Sequence, residues 1–213
     1  MLVICAVAVA HVLPAQRVTL VLLQHANELV RTSTGTGQLL SDERLRSHTN
    51  VQTWRWGGQD DNDSVAALIS ALVNPPALVW VADDDQPEAE LAKSTGSTGA
   101  SYILLDGTWQ EARDMFSEGP GCLRTMPRVS LPATTSAFWL RSRPHYTVPE
   151  GTVCTAEAAA GVLEGLGNNA VGGAVLRELL AEFQETFAME HPRHWLRPGY
   201  DPARERGNVR RRT

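Results

Sequence analysis

Asp106-Gly107-Thr108-Trp109 is the stretch of this chain best placed to do chemistry. It follows directly on Ser101 to Leu105 (SYILL), a run that reads as a buried strand, so the Asp106 carboxylate arrives at a strand's carboxyl end. Ligands of open α/β sheets gather at such ends. Gly107 makes the turn tight, and Trp109 opens the next helix, which sets a carboxylate beside an aromatic ring. A plainer arrangement fits the same residues, with Asp106 capping that helix and Trp109 buried in the core. A second helix start lies at Thr155 and Glu157, where Thr155 suits a cap and Glu157 suits the positive end of the helix dipole. Backbone N–H groups at a helix start also suit an anion, and the two uses are compatible.

Other patterns lead elsewhere and are set aside. Gly35-x-Gly37 lacks the third glycine of a dinucleotide fingerprint, since Leu40 stands in its place. Glu190, His191 and His194 have no further ligand at metal-site spacing, so no metal is expected. The Asp83-Asp84-Asp85 turn reads as a solvated acidic turn, with Mg²⁺ or a ribose as the alternative guest. No Gly-x-Ser-x-Gly elbow occurs, which argues against a serine hydrolase.

The elements that must position these residues alternate in type. Arg17 to Gln24 (RVTLVLLQ), Ala77 to Ala82 (ALVWVA) and Ser101 to Leu105 read as buried strands, and Val51 to Trp56 as a weaker one. Helical periodicity covers Asp63 to Val73, stopped by Asn74-Pro75-Pro76. Further helices are expected over Pro87 to Lys93, Gly107 to Phe116, Thr155 to Leu166 (capped by Thr155, closed by Gly167-Asn168) and Ala174 to Glu190. Ser94 to Gly99 reads as a loop. This alternation predicts a single α/β domain with a mostly parallel sheet flanked by helices. The domain is placed at 1–198, followed by a basic, flexible tail at 199–213.

With 213 residues, 43% of them hydrophobic, the chain can bury a substantial core. The cysteines Cys5, Cys122 and Cys154 are too scattered for a disulfide framework or a four-cysteine zinc site, which suggests a reducing, cytoplasmic setting. Leu2 to Ala10 is apolar but too short to span a bilayer and has no preceding Lys or Arg; it reads as a core strand or docked segment, with no membrane implied. The net charge of −5 is unfavourable for phosphate contact, yet it is unevenly spread. The first half carries Asp60, Asp61, Asp63, Asp83, Asp84 and Asp85 with few bases, whereas arginines follow from Arg113 to the run Arg210-Arg211-Arg212. Arginine grips phosphate in a bidentate way, and the same tail could equally serve only solubility.

LLDGTWQEA (104–112) resembles the signature of the DTW-domain family, named for its Asp, Thr and Trp. Four further regions resemble that family in the expected order: VTLVLLQHANE (18–28), GTGQLL (35–40), LRTMPRVSL with SAFWLR (123–131 and 136–141), and TVCTAEAAAGVLE (152–164). Departures are Ala26 in place of a proline, Gly35 and Gln38 within an Asn-Thr-x-Arg pattern, and no cysteine-rich segment ahead of the first strand.

The resemblance implies a SPOUT-like fold with a knot at the cofactor site. It also implies S-adenosylmethionine as cofactor and donor, and tRNA as partner and substrate, the product being 3-(3-amino-3-carboxypropyl)uridine. A related branch modifies ribosomal RNA, and a catalytically decayed RNA-binding module is a third reading. Site residues follow from the resemblance. Asp106 is the catalytic candidate, as a base for uridine N3, a partner for the cofactor's amino group or a counter-charge to its sulfonium. Leu105, Thr108, Trp109, Cys154, Thr155 and Glu157 are the expected cofactor contacts. Gln24, His25, Glu28 and Arg141 are the expected substrate contacts, Arg141 with a possible hold on the cofactor's carboxylate.

Overall fold

Four consecutive apolar side chains, Leu20 to Leu23, begin the organisation of the core, because a strand sends neighbours to opposite faces. Leu20 and Leu22 join one cluster with Leu40, Tyr102, Leu104, Ala159, Leu163 and Leu176. Val21 and Leu23 join the other, with Val65, Ile69, Ile103, Met115 and Leu123. A strand apolar on both faces must be covered on both, and each such leucine contributes about 2 kcal/mol by leaving water. The structure is a computed structural model and describes residues 17–29, 35–80, 99–131, 136–138, 153–167 and 169–190.

Five strands are present among these residues: β1 (Thr19–His25), β2 (Asn50–Trp56), β3 (Pro76–Val79), β4 (Ser101–Asp106) and β5 (Arg128–Val129). They form one sheet in the order β2-β1-β4-β3-β5. Every pairing is parallel, so the expected sheet is found and is wholly parallel here. Helices α1 (Asn62–Ser70), α2 (Trp109–Glu118) and α3 (Gly121–Thr125) accompany one face. The other carries α4 (Thr155–Gly161), its π-helical continuation Val162–Leu166, and α5 (Ala170–Glu190).

The strand order creates a switch point. From β1 the chain passes through 3-10 turns at Thr36–Ser41 and Glu43–Leu45 to β2 on one side, burying Leu40 and Leu45 on the α4/α5 face. From β4 it passes through α2 to the other side, burying Met115 on the opposite face. Connections leaving in opposite directions mark the carboxyl ends of β1 and β4 as the place where open α/β sheets bind ligands. In the parallel register Gln24 lies beside Asp106 at that edge.

Several boundaries differ from the sequence reading, each for a local reason. α1 stops at Ser70 instead of Val73; Ser70 donates its hydroxyl back to the Ala66 carbonyl, and Val73 is almost fully exposed, leaving no burial to extend the helix. α2 starts at Trp109, because Thr108 has extended backbone angles and forms a capping box with Glu111. Asp106 therefore does not cap it. α4 is preceded by Cys154 as its N-cap, so Thr155 is the first helical residue and not the cap. α5 begins at Ala170, four residues before Ala174, with Asn169 accepting from the Gly172 N–H. β5 and α3 have no counterpart in the sequence reading.

The expected helix at Pro87 to Lys93, most of the 94–99 loop, the Leu2–Ala10 segment, the acidic turn, the His191/His194 pair, Arg141 and the tail from 199 lie outside the described residues. No described helix is long and apolar enough to cross a membrane.

Candidate active site

Asp106 ends the central strand β4 and is 2% exposed. A buried carboxylate needs hydrogen-bond donors, and it has them from two other elements. Gln24, its neighbour at the end of β1, donates from Nε2 to Oδ2 at 3.0 Å. Thr155, opening α4, donates its hydroxyl to Oδ1 at 2.7 Å. Strand alternation explains the meeting: Gln24 and Asp106 continue the row of Leu22 and Leu104, which faces α4. The 3-10 turn after β1 closes the cluster. Gly37 packs its backbone against the Asp106 carboxylate so tightly that any Cβ there would overlap the side-chain oxygen. Thr36, equally buried, accepts weakly from the Ala156 N–H at 3.4 Å.

Glu157 lies one step behind. Its Oε1 accepts from the Ala137 N–H at 2.6 Å, and Oε2 accepts from the Ser136 hydroxyl at 2.7 Å and the Cys154 N–H at 2.8 Å. Its carboxylate clamps residues 136–138 onto the start of α4, and Phe138 packs with Cys154, Ala156 and Leu180. Part of the free N–H capacity expected at this helix start is thus consumed within the protein.

On the opposite face of the same strand ends stands a second polar group. Glu111 accepts at Oε2 from the Thr108 N–H (2.8 Å) and hydroxyl (2.9 Å), and at Oε1 from Asn27 Nδ2 (2.7 Å). His25 Nδ1 lies 3.5 Å from Oε1 of Glu111 and accepts from the Asn27 N–H at 3.2 Å, while its ring meets Trp56. Glu28 is half-buried on the short turn Ala26–Leu29 that follows.

Aromatic rings complete this face. Trp109, half-buried at the start of α2, lies 5.9 Å from Trp80 between ring centres. Trp80 meets Phe116 at 4.6 Å, and the Arg128 guanidinium lies over Phe116. The Trp80 indole N–H is buried without a partner. Leu105 points into this aromatic side of the core, away from Asp106. Among the described residues no group of three His, Cys, Asp or Glu gathers as a metal site.

Asp106, Gln24, Thr155, Thr108 and Trp109 are thus drawn to one edge of the sheet, with His25 close by. Glu111, Asn27 and Trp80 were not singled out from the sequence, and Gly37 was weighed there only as part of a dinucleotide pattern and set aside. Glu111 carried a readable signal, the Thr-x-x-Glu spacing of a capping box. Gly37 had only the family-like segment around it. The segments that meet at Asp106 are the ones whose order resembled a known family, and the family model for the DTW domain matches residues 2–188. This chain belongs to the DTW-domain family. The signature Asp106, Thr108 and Trp109 of this DTW domain divides its labour by geometry: Asp106 joins β1 to α4, Thr108 caps α2, and Trp109 presents a partly open ring. No solved structure matches the chain.

Proposed function

We propose that this DTW-domain protein transfers the 3-amino-3-carboxypropyl group of S-adenosylmethionine to N3 of a uridine in tRNA, within a SPOUT-like, cytoplasmic enzyme. One observation carries the reading. Three segments with family-like motifs, 18–28, 35–40 and 152–164, converge on the buried carboxylate of a fourth, 104–112, at the switch point of the sheet.

The residues present fit the cofactor. When bound, it supplies an electrophilic methylene carbon beside a cationic sulfur. Asp106 offers a fixed negative charge for its positive groups, with Gln24 and Thr155 preventing reorientation. Trp109 offers a ring face for the sulfonium or the adenine, and the buried Trp80 N–H is a donor still in want of an acceptor. With both oxygens engaged and almost no exposure, Asp106 is better placed to hold charge than to collect a proton from an incoming RNA.

Two isotopic forms of the cofactor test the reaction. Label in the carboxyl group is expected to enter tRNA, and label in the methyl group is not. Nucleoside mass spectrometry of a deletion strain then assigns the substrate. Loss of the modified uridine from tRNA supports this reading, and its loss from ribosomal RNA alone replaces tRNA with that target. Transfer of methyl label, or of neither label by folded protein, overturns it.

A further inference from the structure

Transfer to a uridine nitrogen needs a proton acceptor, and Asp106 is spent on Gln24 and Thr155. His25 and Glu111, at the same strand ends but on the other face, make the second titratable cluster at the switch point. The two side chains are 16% and 10% exposed, more open than Asp106. The Cβ of His25 lies near Gly107, so the ring stands beside the turn that follows Asp106.

His25 Nδ1 stands between a donor, the Asn27 N–H, and a carboxylate, Glu111. With Nδ1 bare, it accepts the Asn27 backbone N–H at 3.2 Å. With Nδ1 protonated, it faces Glu111 Oε1 at 3.5 Å. In that state the Asn27 N–H gives up its acceptor and Nε2 carries a lone pair. Glu111 cannot swing away, because Thr108 holds Oε2 twice and Asn27 Nδ2 holds Oε1. Among the described residues Glu111 of α2 is the charged group facing the ring; β2 presents Trp56 and the turn presents Asn27.

We propose that His25 and Glu111 are the proton-accepting pair of this site, His25 as the base that meets the RNA and Glu111 as the positioning residue that stabilises the imidazolium. The inference rests on the transfer reading above. In the step, the uridine N3 proton passes to His25 Nε2 and the N3 electron pair forms the new N–C bond. The donor's C–S bond breaks with its pair passing to sulfur. The proton then leaves to solvent. A carboxylate behind a histidine favours the tautomer and the cation that base catalysis needs.

Glu111→Gln separates this role from helix capping, since glutamine also serves at that capping-box position. Nitrogen-15 spectra of the imidazole in the unliganded protein provide a readout independent of activity. Because the Asn27 N–H competes for Nδ1, the wild type is expected to show a share of His25 carrying its proton at Nδ1, and Glu111→Gln to remove that share in favour of Nε2. In the transfer assay, Glu111→Gln and His25→Gln are expected to reduce kcat by about 10²-fold on uridine RNA with little change in KM for the cofactor. RNA carrying 5-fluorouridine, whose N3 proton is more acidic, is expected to recover at least about tenfold of that loss. Equal loss on both RNAs by folded variants, or the same His25 tautomer balance with and without the Glu111 charge, overturns the pair. Should the wild type transfer nothing, the transfer reading falls alone, and the spectra still decide whether the two side chains are coupled.

Discussion

At Asp106 charge and hydrogen bonding are separable, because one of its donors is a hydroxyl. Thr155 Oγ1 donates to Oδ1 now, and by rotation it accepts from an amide NH₂ instead. Asp106→Asn therefore keeps its bond from Gln24 Nε2 and its link to α4 while losing the charge. We expect a melting temperature close to wild type and transfer reduced about 10²–10³-fold, the usual cost of removing one preorganised electrostatic group. A folded variant with near-normal turnover would show that the charge is dispensable. Gly37 tests position instead of charge. A methyl group there overlaps the Asp106 carboxylate, which is pinned from two sides, so the strain must move either the carboxylate or the 3-10 turn. Gly37→Ala should cost about 10²-fold in kcat, as displacements of about 1 Å do, while Gly107→Ala, whose nearest neighbours are 3.0 Å or more away, should cost less. Comparable turnover of Gly37→Ala and wild type would mean that the carboxylate need not be placed so closely.

Between elements, Glu157 has the largest structural task near the site. It gathers the Ser136 hydroxyl, the Ala137 N–H and the Cys154 N–H, so it closes α4 and docks the incoming chain in one contact. Glu157→Ala leaves those donors to compete for water at a place that is 7% exposed. A loss of about 3 kcal/mol in unfolding free energy is expected, and Glu157→Gln should lose less because its carbonyl still accepts. Denaturant melts with equal m-values check both, and an Ala variant as stable as wild type would reduce the clamp to a bystander. β1, β3 and β4 were legible in the sequence because LVLLQ, ALVWVA and SYILL are the apolar runs of a doubly covered strand, and β2 was legible from its weaker alternation. The start of α5 was not legible. Gly172 and Gly173 argue against helix by propensity, yet they let α5 approach His48 and Glu164 closely, a tertiary gain that periodicity does not register. Asp106 and Trp109 were legible by strand-end position and family likeness. Glu157 was visible as a helix-start acid, but its three donors lie mainly on a segment some twenty residues earlier, which no local pattern reveals.

For the whole molecule, α5 is the element on which the α4/α5 face depends, and two arginines tie it down from outside the core. Arg44, on the turn before β2, makes a two-pronged pair with Glu182, and Arg177 of α5 makes another with Glu164 of the π-helical turn. The side-chain hydrogen bond from Arg177 holds the Glu164 carboxyl below the usual range, the one from Arg44 does so for Glu182, and the backbone and side chain of Arg44 do so for Asp42. A carboxyl whose folded value is lowered contributes stability above its unfolded value of about 4, and that contribution fades as pH falls through the folded value. Acid should therefore loosen α5 from about pH 4 downward, with little effect between about pH 5 and 8 from these groups. These pairs are exposed, so each is worth little: the Arg177–Glu164 coupling should measure a few tenths to about 1 kcal/mol in a double-mutant cycle. Arg177→Ala should lower the melting temperature by about 1–3 °C at neutral pH in dilute buffer. The gap from wild type should shrink at about 1 M salt, where charges beyond about 3 Å are screened, and should close as pH falls through the lowered folded value of Glu164. A gap that persists unchanged both at about 1 M salt and in acid where Glu164 has titrated would assign the effect to the packing of the arginine stem on the π-helical turn, and the charge would then have no part in holding α5 over the site.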